Sequence, residues 1–87
     1  MNWIVKFKES AKKELSKLDK SESKKIISFL EKLSTQSNPR QNGKSLKGKL
    51  KEYWRYRVGD YRILCKIQDD ELVVLILKVA HRKDVYE

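Results

Sequence analysis

The spacing of apolar residues divides the first half of the chain into a strand and two helices. Residues 3–7 are rich in β-branched and aromatic side chains, with Lys6 as the one charged residue, which predicts a first strand. From there to Pro39 the apolar positions recur every three or four residues, which predicts two helices with a break near Asp19. Their apolar faces consist of Ala11, Leu15 and Leu18 in the first helix and Ile26, Phe29, Leu30 and Leu33 in the second. We expect an antiparallel helical hairpin that covers one side of a sheet.

Polar residues mark where the second helix begins and ends. Asp19 is placed to cap it, and Glu22 stands three residues later, at the spacing of a capping box. Pro39 ends it, because the residue before a proline is disfavoured in the helical conformation. The polar stretch from Pro39 to Leu50 predicts a basic loop that Leu46 anchors to the core, with Leu50 as a second candidate anchor.

The second half of the chain has the pattern of a three-stranded meander. The predicted strands are residues 52–58, 61–67 and 72–80. Gly59-Asp60 joins the first two, and a two-residue turn with glycine first suits a type II′ hairpin. The third strand is apolar on both faces, so we expect it inside the sheet, beneath the helices.

The order β-α-α-β-β-β predicts an α+β fold in a single domain spanning residues 1–87. We expect a small, mainly antiparallel sheet with the helical hairpin packed on one face. The first strand is expected beside the central or last strand of the meander. The opposite face of the sheet would then remain partly open.

Arginines fall on alternate positions of the first meander strand. Alternation puts Arg55 and Arg57 on one side, while Trp54 and Tyr56 point to the other side, towards the core. Arg62 begins the next strand and is a candidate to join the two arginines, although the sequence does not fix the register across the hairpin.

The charge of the chain indicates a polyanionic partner. The formal net charge is +9, and the segment 40–66 alone carries nine bases against two acids. Arginine presents a planar fork that binds phosphate at two points, which lysine does not. An ordinary solvated, lysine-rich surface is the competing explanation.

Other features narrow the class of protein. Cys65 is the single cysteine and sits in an apolar strand, so we expect a buried thiol and a reducing, cytoplasmic environment. One histidine and one cysteine do not build a zinc site, so no metal and no small-molecule cofactor are expected. No apolar run reaches the roughly 18 residues of a membrane helix, and residues 1–6 do not have the pattern of a secretory signal.

The last seven residues combine an imidazole, two cations and a phenol. His81 is the one side chain whose unperturbed titration lies near neutral pH, which makes it a candidate proton donor or acceptor. Tyr86 is a candidate for stacking on a base or for accepting a proton. Structural roles for both residues, as ordinary packing groups, are the alternatives.

Three segments of the chain form a distinctive combination: Leu46-Lys47-Gly48, the run from Tyr53 to Ile63, and the ending from Val79 to Tyr86. Together they resemble the RelE family of bacterial toxins, in the RelE/ParE superfamily of type II toxin–antitoxin systems. The resemblance extends over essentially the whole chain, and the tyrosine in the ending looks like the RNA-cleaving branch. It implies an mRNA endonuclease that acts in the ribosomal A site, blocks translation, and is held inactive by a cognate antitoxin.

The resemblance also implies site residues. The family's catalytic positions fall on Arg55, Arg57, Arg62, Arg82 and Tyr86, to which we add His81. The lysines expected to contact RNA phosphates are Lys44, Lys47, Lys49, Lys51 and Lys83. Some members have lysines where this chain has Arg55 and Arg57, and arginine stays protonated, so neither residue serves as a general base.

Two other functions remain open at this point. A protein similar to the ParE branch would poison DNA gyrase without cutting RNA, and it would share the fold and the basic strands. A plain basic RNA-binding module would bind RNA in a salt-sensitive way and be harmless on expression.

Overall fold

The computed structural model describes residues 2–84, which form two helices and one sheet of five strands. The elements are β1 (Ile4–Phe7), α1 (Glu9–Ser16), α2 (Lys20–Thr35), β2 (Lys44–Ser45), β3 (Trp54–Val58), β4 (Tyr61–Gln68) and β5 (Val73–His81). Single turns of 3₁₀-helix connect several of them, at Pro39–Gln41, Gly48–Leu50, Asp69–Glu71 and Arg82–Asp84. Every predicted helix and strand is therefore present, with boundaries that differ by one or two residues at most ends.

The strand order in the sheet is β1-β5-β4-β3-β2. β1 runs parallel to β5, and the other neighbouring strands are antiparallel. The expected α+β fold, the position of the first strand beside the last, and the interior place of β5 are all confirmed. The strand β2 was not predicted, because its two residues lie in the stretch expected to be a loop and are too short to show a periodicity.

The core lies between the helices and one face of the sheet. Trp3, Val5 and Phe7 of the first segment, and the apolar stripe of α2, pack against inward-facing residues of β3, β4 and β5. Tyr56 has no exposed surface, and its ring lies 5.3 Å from that of Phe29, centroid to centroid. The Tyr56 hydroxyl donates a hydrogen bond to the carbonyl of Pro39 (2.7 Å), so this buried polar group is satisfied.

Three local expectations have mixed outcomes. Leu46 is buried and anchors the loop, as predicted, but Leu50 is 42% exposed on the 3₁₀ turn and is not an anchor. Asp19 occupies the N-cap position of α2, yet its side chain makes no capping hydrogen bond, so the predicted capping box is wrong. Gly59 has φ of 58° and Asp60 does not have positive φ, which fits the expected type II′ turn.

A β-bulge interrupts the pairing of β4 with β5. Leu64 is opposite Lys78, but the next residue, Cys65, is opposite Ile76, so Leu77 is an extra residue on β5. Because side chains alternate along a strand, one extra residue reverses the faces of all the residues that follow it. Val74 and Ile76 face the helices before the bulge, and the odd-numbered positions face them afterwards.

Two polar contacts fix the periphery of the sheet. The guanidinium of Arg40 binds the carboxylate of Asp69 through two hydrogen bonds of 2.8 and 2.9 Å, which ties the segment after α2 to the β4–β5 turn. The carboxylate of Glu14 accepts a hydrogen bond from the backbone N–H of Val79. No helix within residues 2–84 is long and apolar enough to cross a membrane.

Candidate functional site

Strand pairing brings the three strand arginines to one face of the sheet. Arg57 is directly opposite Arg62 across the β3–β4 hairpin, and Arg55 is opposite Leu64. Residues opposite each other in an antiparallel pair share a face, so all three arginines lie on the side away from the helices. We call this side the basic face. The register that the sequence left open therefore places Arg62 with the other two.

The three guanidinium groups differ in their exposure. Arg57 is exposed, Arg55 is half-buried, and Arg62 is only 6% exposed. Arg62 Nη1 donates hydrogen bonds to the carbonyls of Tyr61 (3.2 Å) and Gly59 (3.5 Å). Arg62 therefore supports the hairpin turn, and Arg57 is the strand arginine best placed to meet a ligand from solution.

Further lysines extend the basic face. Lys44 is opposite Arg55 across the β2–β3 pair and is exposed. Lys78 is opposite Leu64 and Lys66 follows Leu64 by two residues, so both lie on this face as well, and both are exposed. Lys66 and Lys78 were not predicted as site residues. Lys78 could have been found from the sequence. In a β5 without a bulge, alternation would point Lys78 into the core, and a lysine at such a position indicates a bulge before it.

The remaining predicted RNA-binding lysines are exposed but do not share one strand. Lys47, Lys49 and Lys51 lie in and beside the 3₁₀ turn between β2 and β3, and Lys83 lies in the turn after β5. They place positive charge at two separate positions on the periphery of the sheet. Such an arrangement contributes diffuse electrostatic attraction rather than a defined contact.

Arg82 is attached to the end of the sheet that carries Arg57 and Arg62. Its backbone N–H donates a hydrogen bond to the carbonyl of Asp60 (2.7 Å), and its Nε lies 4.0 Å from Asp60 Oδ1. The side chain itself is 59% exposed. The β3–β4 turn thus holds the backbone of Arg82 while the guanidinium remains accessible.

His81 lies on the opposite side of the sheet. It is paired with Tyr61, its ring meets the Tyr61 ring edge-on at 5.5 Å between centroids, and it borders a cleft with Glu14 and Lys17 of the α1 region. The structure therefore does not bring His81 together with the arginines, contrary to the grouping expected from the sequence. The cause is the bulge at Leu77, which turns the end of β5 over. Its Nδ1 accepts a hydrogen bond from the backbone N–H of Lys83 (3.2 Å).

Tyr86, the last of the predicted catalytic residues, lies outside the described residues. Two other titratable groups, Cys65 and Tyr56, are buried in the core. Burial raises the pKa of the Cys65 thiol to about 12 and also raises the pKa of the Tyr56 phenol, so both stay protonated at neutral pH. Within residues 2–84 no three His, Cys, Asp or Glu side chains are grouped in a way that would hold a metal ion.

Comparison with known proteins identifies the family to which this chain belongs. The family described as the ParE toxin of type II toxin–antitoxin systems matches residues 5–86. Toxin RelG of Mycobacterium tuberculosis is 34% identical over 87 residues, which cover 99% of this chain and 98% of that toxin.

Solved structures show the same fold. A chain of the toxin–antitoxin complex RelBE2 from M. tuberculosis superposes with a TM-score of 0.84 at 33% identity, covering 97% of this chain and 95% of that one. A chain of the archaeal RelE–RelB complex from Pyrococcus horikoshii superposes with a TM-score of 0.75 at 27% identity, covering 98% and 100%. This chain is therefore a toxin of the type II toxin–antitoxin class and belongs to the RelE/ParE superfamily.

Proposed function

We propose that this toxin is an endoribonuclease that cuts mRNA on the ribosome and so blocks translation. The observation that carries the proposal is that Arg57, which is exposed, and Arg55, which is half-buried, lie on one face of the sheet, with the buried Arg62 supporting the hairpin opposite Arg57. Guanidinium groups on one face of a rigid sheet suit the binding of a phosphodiester and of the extra negative charge that its transition state develops.

RNA contains its own nucleophile for this reaction. The 2′-oxygen attacks the adjacent phosphorus, the bond from phosphorus to the 5′-oxygen breaks, and a 2′,3′-cyclic phosphate and a free 5′-hydroxyl result. One proton leaves the 2′-hydroxyl and one is delivered to the 5′-oxygen. The protein has to align these atoms, stabilise charge on the phosphate oxygens and accept or donate the two protons.

The roles follow from position and chemistry. Arg57 binds the scissile phosphate, Arg55 adds charge beside it, and Arg62 holds the turn that positions Arg57. Arg82 approaches from the β3–β4 turn to contact the same phosphate. Arginines do not accept protons at neutral pH, so the proton acceptor lies elsewhere. We propose Tyr86 for this step, on the ground of the resemblance described above.

Partners follow from the same surface. The exposed lysines between β2 and β3, together with Lys83, would contact phosphates of ribosomal RNA, which supplies long-range attraction that weakens with salt. An antitoxin would inhibit the toxin by covering or neutralising the basic face. The two superposed structures come from toxin–antitoxin complexes, which supports a partner of this kind. We propose that both partners are met in the cytoplasm.

Poisoning of DNA gyrase is the second candidate function, and the match to the ParE toxin family favours it. A gyrase poison needs the fold and a positive surface but no aligned proton acceptor. Under this alternative, Arg57 and Lys44 would contact protein rather than RNA. Transcripts would then stay intact while DNA breaks accumulate.

Conditional expression with transcript-end mapping separates the two. A nuclease produces new transcript ends within codons, and these ends disappear in the Arg57→Ala variant. A gyrase poison produces a DNA-damage response with unchanged transcripts. Ends that persist in variants lacking Arg57 and Arg82 would contradict the site assignment, and harmless expression without the antitoxin would contradict toxicity.

A further inference from the structure

A cavity of about 280 Å³ lies at the edge of the sheet, beside the basic face. Phe29 of α2 forms one wall and the segment from Asn42 to Lys44 forms another. The backbone and side chains of Arg55, Tyr56 and Arg57 complete the lining. Of the residues that line this cavity, only the cations Lys44, Arg55 and Arg57 were predicted from the sequence as site residues.

The cavity exists because β2 is too short to cover β3. β2 pairs only with Trp54 and Arg55, and β3 continues to Val58. The carbonyl of Arg55 faces the β2 side, since a Cβ atom built on Gly43 would lie 2.3 Å from it. Backbone groups two residues apart point to the same edge of an antiparallel strand, so Arg57 directs its N–H and C=O towards the cavity.

The wall opposite β3 is held in place before any ligand arrives. Trp54 Nε1 donates a hydrogen bond to the carbonyl of Asn42 (2.6 Å), and the Asn42 side-chain amide donates one to Gln36 Oε1 (3.3 Å). Gly43 has φ of 82° and carries no side chain into the space. A preformed wall reduces the ordering that a ligand would otherwise have to impose.

The lining combines three features that one ligand class uses together. The half-buried ring of Phe29 offers a surface for stacking. The backbone of Arg57 offers a hydrogen-bond donor, its N–H, and an acceptor, its C=O, on the same edge of β3. Lys44 and Arg57 place positive charge at the mouth. Single-stranded RNA presents a planar base with donors and acceptors on its edge, next to a phosphate. A protein strand could also pair with the uncovered edge of β3, but strand pairing makes no use of the ring of Phe29.

We propose that this cavity receives one nucleobase of the RNA, adjacent to the phosphate bound by Arg57, and that it sets the base preference of cleavage. This inference rests on the proposed function and identifies a specificity site within it. Recognition combines stacking against Phe29 with hydrogen bonds from the backbone of β3.

The first test changes the shape of the cavity without removing a cation. Phe29→Trp puts a larger ring into the cavity, while Ile27→Trp makes a similar change in the separate groove beside β1 and is the matched control. Circular dichroism establishes that both variants fold. Transcript-end mapping should then show that Phe29→Trp alters the base preference at one position next to the cut by about fivefold or more, because the larger ring occupies the space of the base and displaces it from a stacking contact worth about 1 kcal/mol or more. An unchanged preference in a folded Phe29→Trp variant overturns the proposal, as does an equal change in the control.

The second test does not depend on cleavage. The four ribonucleoside 3′-monophosphates are titrated into ¹⁵N-labelled protein, with inorganic phosphate as the comparison probe. We expect backbone amide shifts at Asn42, Gly43, Lys44 and Arg57 with the nucleotides, and no such shifts at Asn42 and Gly43 with phosphate alone. Base binding here by a protein that cuts no RNA would leave this site standing and refute the nuclease. Shifts that appear only with the co-purified antitoxin would assign the cavity to a protein strand, and the nucleobase proposal would be wrong.

Discussion

The Glu14 carboxylate of α1 accepts a hydrogen bond of 2.9 Å from the backbone N–H of Val79 in β5. β1 pairs with β5 only as far as Ile76, so beyond that point β5 has no strand on this side. A helix side chain thus satisfies a backbone group that a longer β1 would have paired. Val79 is buried, so leaving its N–H without an acceptor would cost more free energy than at an exposed position.

Replacing Glu14 should therefore reduce stability. We expect Glu14→Ala to lower the free energy of unfolding by about 1–3 kcal/mol, because it leaves a buried N–H without an acceptor. Glu14→Gln should lose less, since its carboxamide oxygen can still accept. Urea unfolding measures both, with Glu31→Ala on the exposed side of α2 as the control, expected within about 0.5 kcal/mol of the wild type. A Glu14→Ala variant as stable as that control would show that the contact contributes nothing.

The two loop glycines should respond differently to the same substitution. Gly43 and Gly48 have φ of 82° and 66°, so an alanine at either position is strained. At Gly43 the new Cβ would also collide with the carbonyl of Arg55, whereas nothing lies within 4 Å at Gly48. Strain alone costs about 1–2 kcal/mol, and overpacking adds about 1–3 kcal/mol.

We therefore expect Gly43→Ala to destabilise the protein by about 2–5 kcal/mol and Gly48→Ala by about 1–2 kcal/mol. Thermal and urea unfolding of the two variants side by side measure the difference. Equal losses would mean that the loop after Pro39 moves away from β3 to make room for the methyl group.

Arg57 and Arg62 should separate activity from stability. Arg57 is exposed, so Arg57→Ala should leave the free energy of unfolding within about 0.5 kcal/mol and lower cleavage by about 100-fold, as loss of a transition-state donor does. Arg57→Lys keeps the charge and should fall between the wild type and the alanine variant, because it lacks the fork. Lys24→Ala, which removes one exposed charge from α2, is the control for non-specific electrostatics.

Arg62→Ala should behave in the opposite way in unfolding experiments. Its guanidinium is buried against the carbonyls of Gly59 and Tyr61, so its loss should cost about 1–3 kcal/mol of stability. Activity should fall as well, through displacement of the turn. A fully stable but inactive Arg62→Ala protein would instead assign Arg62 to direct contact with the substrate.

The Arg40–Asp69 pair should make a small part of the stability depend on pH. The hydrogen bonds from Arg40 hold the pKa of the Asp69 carboxyl below its usual value. The pair therefore stabilises the folded protein fully above about pH 4, the region of an unfolded aspartate, and this contribution disappears as the pH falls through the lowered folded pKa.

Asp69→Asn should accordingly cost up to about 1 kcal/mol at pH 7, the size expected for an exposed pair. The difference from the wild type should shrink at acid pH. Asp70→Asn removes the same charge from the neighbouring position and is the matched control. Urea unfolding at several pH values measures both variants, and a difference that stays constant down to pH 2 would contradict the assignment to Asp69.

Cys65 should be unreactive in the folded protein. Its side chain has no exposed surface, and burial raises the pKa of the thiol to about 12, so the thiolate that attacks alkylating or disulfide reagents is scarce at pH 8. A thiol-reactive dye should react within minutes in denaturant and negligibly without it. Stoichiometric labelling of the native protein would show that β4 opens readily.

The elements that were predictable are those whose signals are repeated along the chain. The apolar stripe of α2 and the alternation of Arg55 with Tyr56 each involve several residues, and both survive in the structure. Features that depend on one contact between distant segments were not predictable. Glu14 has the same pattern as the solvated acids around it, and the two residues of β2 become a strand only because β3 lies beside them.

The extra residue at Leu77 has a consequence for comparing this toxin with its relatives. The face on which each residue at the end of β5 lies depends on whether β5 contains the extra residue before it. Two chains with the same final motif, one with the bulge and one without it, therefore place that motif on opposite faces of the sheet. An alignment that matches the ending letter by letter, without regard to this position, would place His81 on the basic face. In this protein the imidazole meets Tyr61 and α1 instead.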